Sequence, residues 1–118
     1  MIFIVDDDRA IRDSLGFLLE CEGWPSCAFG TALQFLQSQA PTDEDFLISD
    51  VKLPGMSGLE LLGTIRSRGL ALPVVLMTGE PSPKLRRQAL DNGATAFLEK
   101  PLRDAEILSL IRQSRAVG

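Results

Sequence analysis

Five polar side chains in this sequence have types and positions that would suit phosphoryl chemistry: Asp6, Asp7, Asp50, Thr78 and Lys100. Asp6 and Asp7 follow one short apolar run, and each of the other three follows a later one. Carboxylates held close together repel one another unless a cation neutralises them or some become protonated. Mg²⁺ suits one or two carboxylates completed by water and a phosphate oxygen. We therefore expect an Mg²⁺ site at Asp6, Asp7 and Asp50.

Asp50 is the candidate nucleophile of this group. A phosphoryl group on its carboxylate would need its oxygens neutralised, by the metal on one side and by the ammonium of Lys100 on the other. The hydroxyl of Thr78 could donate to a phosphoryl oxygen, and Gly79 leaves the following backbone amide able to approach it closely. Histidine is absent from the sequence, so any chemistry depends on carboxylates, Lys100 and hydroxyls.

The hydrophobic pattern predicts the elements that hold these residues. Short apolar runs alternate with segments of helical spacing, which is typical of a parallel sheet with crossover helices. The predicted strands are residues 1–5, 26–29, 46–49, 74–77 and 96–98, and the predicted helices are 9–22, 31–38, 58–68, 83–92 and 103–115. In the strand order 2-1-3-4-5 the ligand crevice lies between the carboxyl ends of strands one and three. Asp6, Asp7 and Asp50 would meet there.

Composition limits the class of protein. With 16 acidic and 12 basic residues the net charge is -4, which disfavours direct contact with nucleic acid. The hydrophobic and charged contents are those of one globular domain over residues 1–118, with 113–118 as a helix end or the start of a linker. The longest apolar stretch, 70–77, is too short to span a membrane, and the first residues lack a signal-peptide pattern, so we expect a cytoplasmic protein. Cys21 and Cys27 are then expected to be free, half-buried thiols.

Five motifs together resemble the receiver domains of two-component response regulators, almost from end to end and with features of the FixJ-like subgroup. They are Ile-Val-Asp-Asp-Asp (4–8), Asp-Val-Lys-Leu-Pro-Gly-Met-Ser-Gly (50–58), Val-Leu-Met-Thr-Gly (75–79), Asn-Gly-Ala (92–94) and Phe-Leu-Glu-Lys-Pro (97–101). The resemblance implies a flavodoxin-like (βα)5 fold and transfer of a phosphoryl group to Asp50 from a sensor histidine kinase.

The resemblance also implies roles for single residues. Asp7, Asp50 and the backbone carbonyl of Lys52 would bind Mg²⁺ directly, with Asp6 reaching it through water. Lys100 would contact the phosphoryl group and precede a cis peptide bond to Pro101. Thr78 would swing toward the phosphate, and Phe97, which replaces a frequent tyrosine, would turn inward behind it.

That movement would remodel the surface formed by the fourth helix, fifth strand and fifth helix. In the family this face controls an output domain, usually a DNA-binding helix-turn-helix in the FixJ-like subgroup, or a partner, and it mediates phosphorylation-driven homodimers. The domain would catalyse at most its own phosphorylation and slow dephosphorylation. Lys52 and Glu80 flank the site, where Lys52 would contact Glu80 or steer the hydrolytic water.

Two other functions use some of the same residues. A phosphohydrolase of the haloacid dehalogenase kind also has an aspartate nucleophile, Mg²⁺ and a lysine, but it places that nucleophile on the first strand in an Asp-x-Asp pattern, whereas the candidate nucleophile here, Asp50, follows the third predicted strand. A receiver-like interaction module that is not phosphorylated usually lacks one of the acidic pair, the acceptor or the lysine, and all of these are present here. Singly, the site residues have structural explanations, such as Asp8 capping the first helix.

Overall fold

The computed structural model describes residues 1–116, in which five strands alternate with five helices. The strands are β1 Ile2–Val5, β2 Ser26–Phe29, β3 Phe46–Asp50, β4 Val74–Thr78 and β5 Ala96–Glu99, and the helices are α1 Arg9–Cys21, α2 Ala32–Ser38, α3 Gly58–Ser67, α4 Pro83–Asp91 and α5 Asp104–Ala116. Every predicted strand and helix is present, with ends that differ by no more than one residue. The predicted 113–118 segment continues α5 as far as Ala116, and its last two residues lie outside the described part of the chain.

All five strands are parallel and stand in the order β2-β1-β3-β4-β5, which confirms the predicted doubly wound, flavodoxin-like sheet. Every residue of β1, β3 and β4 is buried. This is expected of central parallel strands, because helices cover both of their faces. The carboxyl ends of these three strands lie side by side, so the residues that end them share one edge of the sheet.

The core has two clusters, one on each face of the sheet. The first packs the sheet against α2, α3 and α4, and its helical members are Ala32, Phe35, Leu61, Leu62, Ile65 and Ala89. The second packs the other face against α1 and α5, through Leu15, Leu19, Ile107, Leu108 and Ile111. Full burial of one such large side chain stabilises the fold by about 1.5–3 kcal/mol. The two clusters fix the strand ends rigidly between two helical layers.

The helices begin and end at the residues that the sequence marks for this. Asp8 caps α1, since its side chain accepts a hydrogen bond from the Ala10 amide, which confirms its predicted capping role. Ser57 and Glu60 form a capping box at the start of α3. Pro83 opens α4, and Gly93 just beyond its end has a φ of 95°, a value that favours glycine.

Both cysteines are free, as predicted, but Cys21 is exposed rather than half-buried. It belongs to the last turn of α1, on the side that faces away from the sheet. Cys27 on β2 is partly buried against the first cluster. Within residues 1–116, no helix has both the length and the apolar character needed to cross a membrane.

Candidate functional site

Three carboxylates meet at the carboxyl edge of the sheet, as the sequence predicts. Asp6 and Asp7 follow β1 and Asp50 ends β3, and each offers a carboxylate oxygen within 4.8 Å of the other two. Asp6 and Asp50 are buried, whereas Asp7 is exposed. The cluster therefore opens to solvent on the Asp7 side, from which an ion or a phosphorylated partner could enter.

The ammonium of Lys100 joins the two buried carboxylates. Its Nζ donates to Asp6 Oδ2 at 2.8 Å and to Asp50 Oδ2 at 2.9 Å. The sequence predicts Lys100 at this edge but assigns it only to an incoming phosphoryl group. The sequence prediction does not include the ion pair of Lys100 with Asp6. Adjacent buried carboxylates need a positively charged partner, and this requirement could have indicated the pair. An ammonium has three N–H groups, and these two bonds use two of them.

Burial and charge set the ionisation of this group. Burial raises the pKa of Asp50 above its ordinary value, since the hydrogen bond and charge of Lys100 offset the effect only in part and the charge of Asp6 adds to it. For Lys100, burial alone would lower the pKa, but hydrogen bonds to Asp6 and Asp50 outweigh this and raise it. The lysine therefore stays charged at neutral pH, while Asp50 is less readily ionised than an exposed aspartate.

Backbone and side-chain donors fix Asp6 on its other side. Its Oδ1 accepts the Asp8 amide at 2.8 Å, and the guanidinium of Arg12 donates to its backbone carbonyl at 2.7 Å. Both carboxylate oxygens of Asp6 thus have protein donors. Arg12 was not predicted as a site residue, because nothing in its spacing shows that it reaches back over the β1–α1 turn.

The chain after β3 folds back toward the nucleophile. The Lys52 amide donates to Asp50 Oδ1 at 3.3 Å, so protein groups contact both oxygens of Asp50. The Lys52 side chain extends outward, and its Nζ lies 2.7 Å from Glu80 Oε2, which confirms one of its two predicted roles. Lys52 lowers the pKa of Glu80 through this hydrogen bond. Both side chains are exposed, so the ion pair stabilises the fold little.

Thr78 and Phe97 lie on the neighbouring strands. Thr78 ends β4 and is buried, and its Oγ1 accepts the Glu80 amide at 3.0 Å, which leaves its O–H free to donate elsewhere. Apart from its two chain neighbours, a Cβ on Gly79 would meet no atom within 4 Å, so the Gly79 backbone is accessible. Phe97 on β5 is buried in the core cluster beneath α4. The Lys100–Pro101 peptide bond is cis, as expected from the resemblance.

The donor set fits a hard divalent cation. Three carboxylates carry up to three negative charges, and Lys100 supplies one positive charge. Oxygen ligands with an excess of negative charge and access to solvent are those that Mg²⁺ prefers. A further cation here would also lower the pKa of Asp50 and favour the ionised form that a nucleophile needs.

Comparisons with known proteins show similarity along almost the whole chain. A family model described as response regulator receiver domain matches residues 2–112. The transcriptional regulatory protein FixJ of Azorhizobium caulinodans is 42% identical over 113 residues, which are 96% of this chain and 54% of that protein. Nodulation protein W of Bradyrhizobium diazoefficiens is 36% identical over 94% of this chain and 49% of its own length.

Solved structures show the same fold. The crystal structure of FixJ-N superposes with a TM-score of 0.85 at 31% identity, covering 96% of this chain and 90% of that one. Full-length FixJ from B. japonicum gives a TM-score of 0.86 at 35% identity, covering 98% of this chain and 57% of that one. The chain spans about half the length of the curated relatives that it matches.

Proposed function

Because this chain belongs to the response regulator receiver domain family and is a phosphorylation-dependent switch of the FixJ-like kind, we propose that Asp50 is its phosphorylated residue. The phosphoryl group would come from a phosphohistidine of a sensor histidine kinase. The observation that supports this best is the contact of Lys100 with buried Asp50 and Asp6, next to exposed Asp7. This arrangement presents a carboxylate nucleophile with a cation already beside it.

The site residues would divide the transfer among them. A carboxylate oxygen of Asp50 forms the new P–O bond as the P–N bond of the phosphohistidine breaks and the imidazole leaves. Lys100, the hydroxyl of Thr78 and the backbone amide of Gly79 would hold the phosphoryl oxygens. Asp7, Asp50 and the Lys52 carbonyl would hold Mg²⁺ directly and Asp6 through water. When bound, the ion would neutralise negative charge on the transferring group.

Phosphorylation would then change the surface formed by α4, β5 and α5. We assign the switch to Thr78, which is already at the site, and Phe97, which lies behind it in the core. The FixJ relative is a transcriptional regulatory protein about twice as long as this chain. We therefore propose that residues 1–118 form a single domain of a cytoplasmic protein and that this domain controls a DNA-binding output domain. Homodimers would form through the α4-β5-α5 surface. It would transfer a phosphoryl group to itself rather than turn over a substrate, which separates it from a phosphohydrolase.

Labelling with a small phosphodonor tests the assignment of Asp50. Acetyl phosphate with Mg²⁺ should add one phosphoryl group to the wild type, seen by intact-mass spectrometry, and none to Asp50→Asn. Asp13→Asn is a matched control, because Asp13 is an exposed aspartate on α1 outside the cluster, and it should be labelled like the wild type. Equal labelling of Asp50→Asn would reject the assignment. Steady turnover of p-nitrophenyl phosphate would instead favour the phosphohydrolase.

A further inference from the structure

Ser49 has a buried hydroxyl at a strand position whose surroundings favour an apolar residue. It lies on β3 directly before Asp50 and has no exposed surface. Its register partners are Val5 on β1 and Leu76 on β4, and both belong to the apolar cluster on that face. Burial of a hydroxyl is unfavourable unless it makes a hydrogen bond. The presence of Ser49 in this strand therefore needs an explanation.

The hydroxyl makes its hydrogen bond to the peptide that follows the proposed nucleophile. Ser49 Oγ donates to the carbonyl oxygen of Asp50 at 3.0 Å. The start of α3 packs against the same peptide, because a Cβ on Gly58 would overlap that oxygen and lie 2.9 Å from Val51 Cα. The Gly58 amide also donates to the Val51 carbonyl at 2.9 Å. The Asp50–Val51 peptide is thus held by a hydroxyl and closely packed by a glycine.

We propose that Ser49 is a positioning residue for the phosphorylation of Asp50, an inference that rests on the function proposed above. Its hydrogen bond, together with the bond from the Val51 amide to the Met77 carbonyl at 2.9 Å, fixes the orientation of the Asp50–Val51 peptide. A rotation of that peptide would turn the Asp50 side chain away from Lys100 and shift the Lys52 amide from Asp50 Oδ1. Attack by a carboxylate depends steeply on the placement of the reacting oxygen, and a displacement of about 1 Å can slow a reaction by about a hundredfold.

A pair of isosteric substitutions isolates the hydroxyl. Ser49→Thr and Ser49→Val add the same bulk to the strand, but only the first keeps an O–H group. We expect the Thr variant to be phosphorylated by acetyl phosphate with Mg²⁺ about three- to tenfold faster than the Val variant. In urea unfolding, both variants should be fully folded in the absence of urea, so a difference between their labelling rates cannot come from an unfolded fraction. A purely structural role acts through the fraction of folded protein and would leave the two rates equal.

Timed intact-mass spectrometry at one concentration of donor gives the rates. Equal rates for the Thr and Val variants, with the wild type labelled at Asp50, would overturn this inference alone. A Val variant that is slower and also partly unfolded without urea would indicate a folding defect and would also overturn it. No labelling of wild-type Asp50 would overturn the proposed function and the inference together. If the strand does not accept the added methyl group, Ser49→Ala gives the same test: slower labelling than the wild type, with the variant still fully folded without urea.

Discussion

Among single residues, Lys100 is the one that brings a positive charge into the carboxylate cluster. Its ammonium contacts two buried carboxylates, and their hydrogen bonds raise its pKa, so it remains charged at neutral pH. One positive charge does not balance three carboxylates. Burial keeps the pKa of Asp50 raised and the charge of Asp6 adds to this effect, so a second cation would bind there favourably.

Asp45, at the opposite end of β3, gives a prediction of pH dependence. Burial alone would raise its pKa, but hydrogen bonds from the Thr42 amide and from the amino group of Met1 outweigh this and lower the pKa below its ordinary value. A lowered carboxyl pKa means that the folded state binds the charged form better, so the stabilisation is complete above the unfolded pKa. Asp45→Asn should lower the free energy of unfolding at pH 7 by about 1 kcal/mol.

Urea unfolding at several pH values measures this difference. The gap between wild type and Asp45→Asn should persist from pH 7 down to about pH 4 and shrink below that, as Asp45 becomes protonated in the folded protein. Glu44→Gln is the matched control, because the neighbouring Glu44 is exposed and its substitution should leave stability nearly unchanged. A gap that stayed constant to the lowest pH at which the protein folds would show that charge is not the cause.

Among the elements, α3 begins in close contact with the peptide after Asp50, and two of its glycines should respond oppositely to alanine. Gly58 begins the helix where a Cβ would overlap backbone atoms of Asp50 and Val51, so Gly58→Ala should destabilise the fold by about 1–3 kcal/mol. Gly63 lies in the exposed middle of α3. Apart from the backbone of its own helix, a Cβ on Gly63 would meet no atom within 4 Å. Gly63→Ala should therefore stabilise the protein by about 0.5–1 kcal/mol.

Thermal and urea unfolding of the two variants provide the measurement. Each variant serves as the control for the other, since both make the same change in the same helix. Destabilisation by Gly63→Ala, or tolerance of Gly58→Ala, would contradict the packing of α3 against the peptide after Asp50. Because that packing also holds the proposed nucleophile, Gly58→Ala should slow labelling at Asp50 as well.

The far end of α3 connects the site to α4. Arg66 donates to the Gly93 carbonyl through Nη2 at 2.8 Å and to the Leu70 carbonyl through Nη1 at 2.9 Å. It therefore joins the end of α3 to the turn that follows α4. The start of α3 thus packs against Asp50, and the end of α3 holds the end of α4. Helix α4 is part of the proposed output surface.

For the molecule as a whole, the strands, the helices and the edge that carries the site could be predicted from the sequence. The buried runs of β1, β3 and β4 are nearly continuous in apolar residues, and Pro83 and Gly93 mark the limits of α4. Helix ends differed from the prediction by one residue because caps such as Glu22 and Thr31 lie at the boundary of helical geometry.

The partners of single side chains could not be predicted in the same way. Strand order determines which ends meet, but it does not select side-chain conformations. Lys100 and Asp6 are 94 positions apart, and only the folded geometry shows that they form an ion pair. The bond from Arg12 to the Asp6 carbonyl and the bond from Ser49 to the Asp50 carbonyl depend on local backbone geometry that hydrophobic periodicity does not record.

The last prediction concerns the stability of the whole domain with and without Mg²⁺. An ion that binds only the folded state should stabilise it, by about 2.7 kcal/mol at one hundred times its Kd. Asp7→Ala should remove most of this gain and, by relieving repulsion, should not destabilise the protein without metal. Thermal unfolding is a better readout than tryptophan fluorescence. Trp24 lies at the opposite edge of the sheet from the site, near the Arg115 guanidinium. Asp13→Ala should retain the full gain, and NaCl of matched ionic strength should not reproduce it. An undiminished gain in Asp7→Ala would place the ion elsewhere.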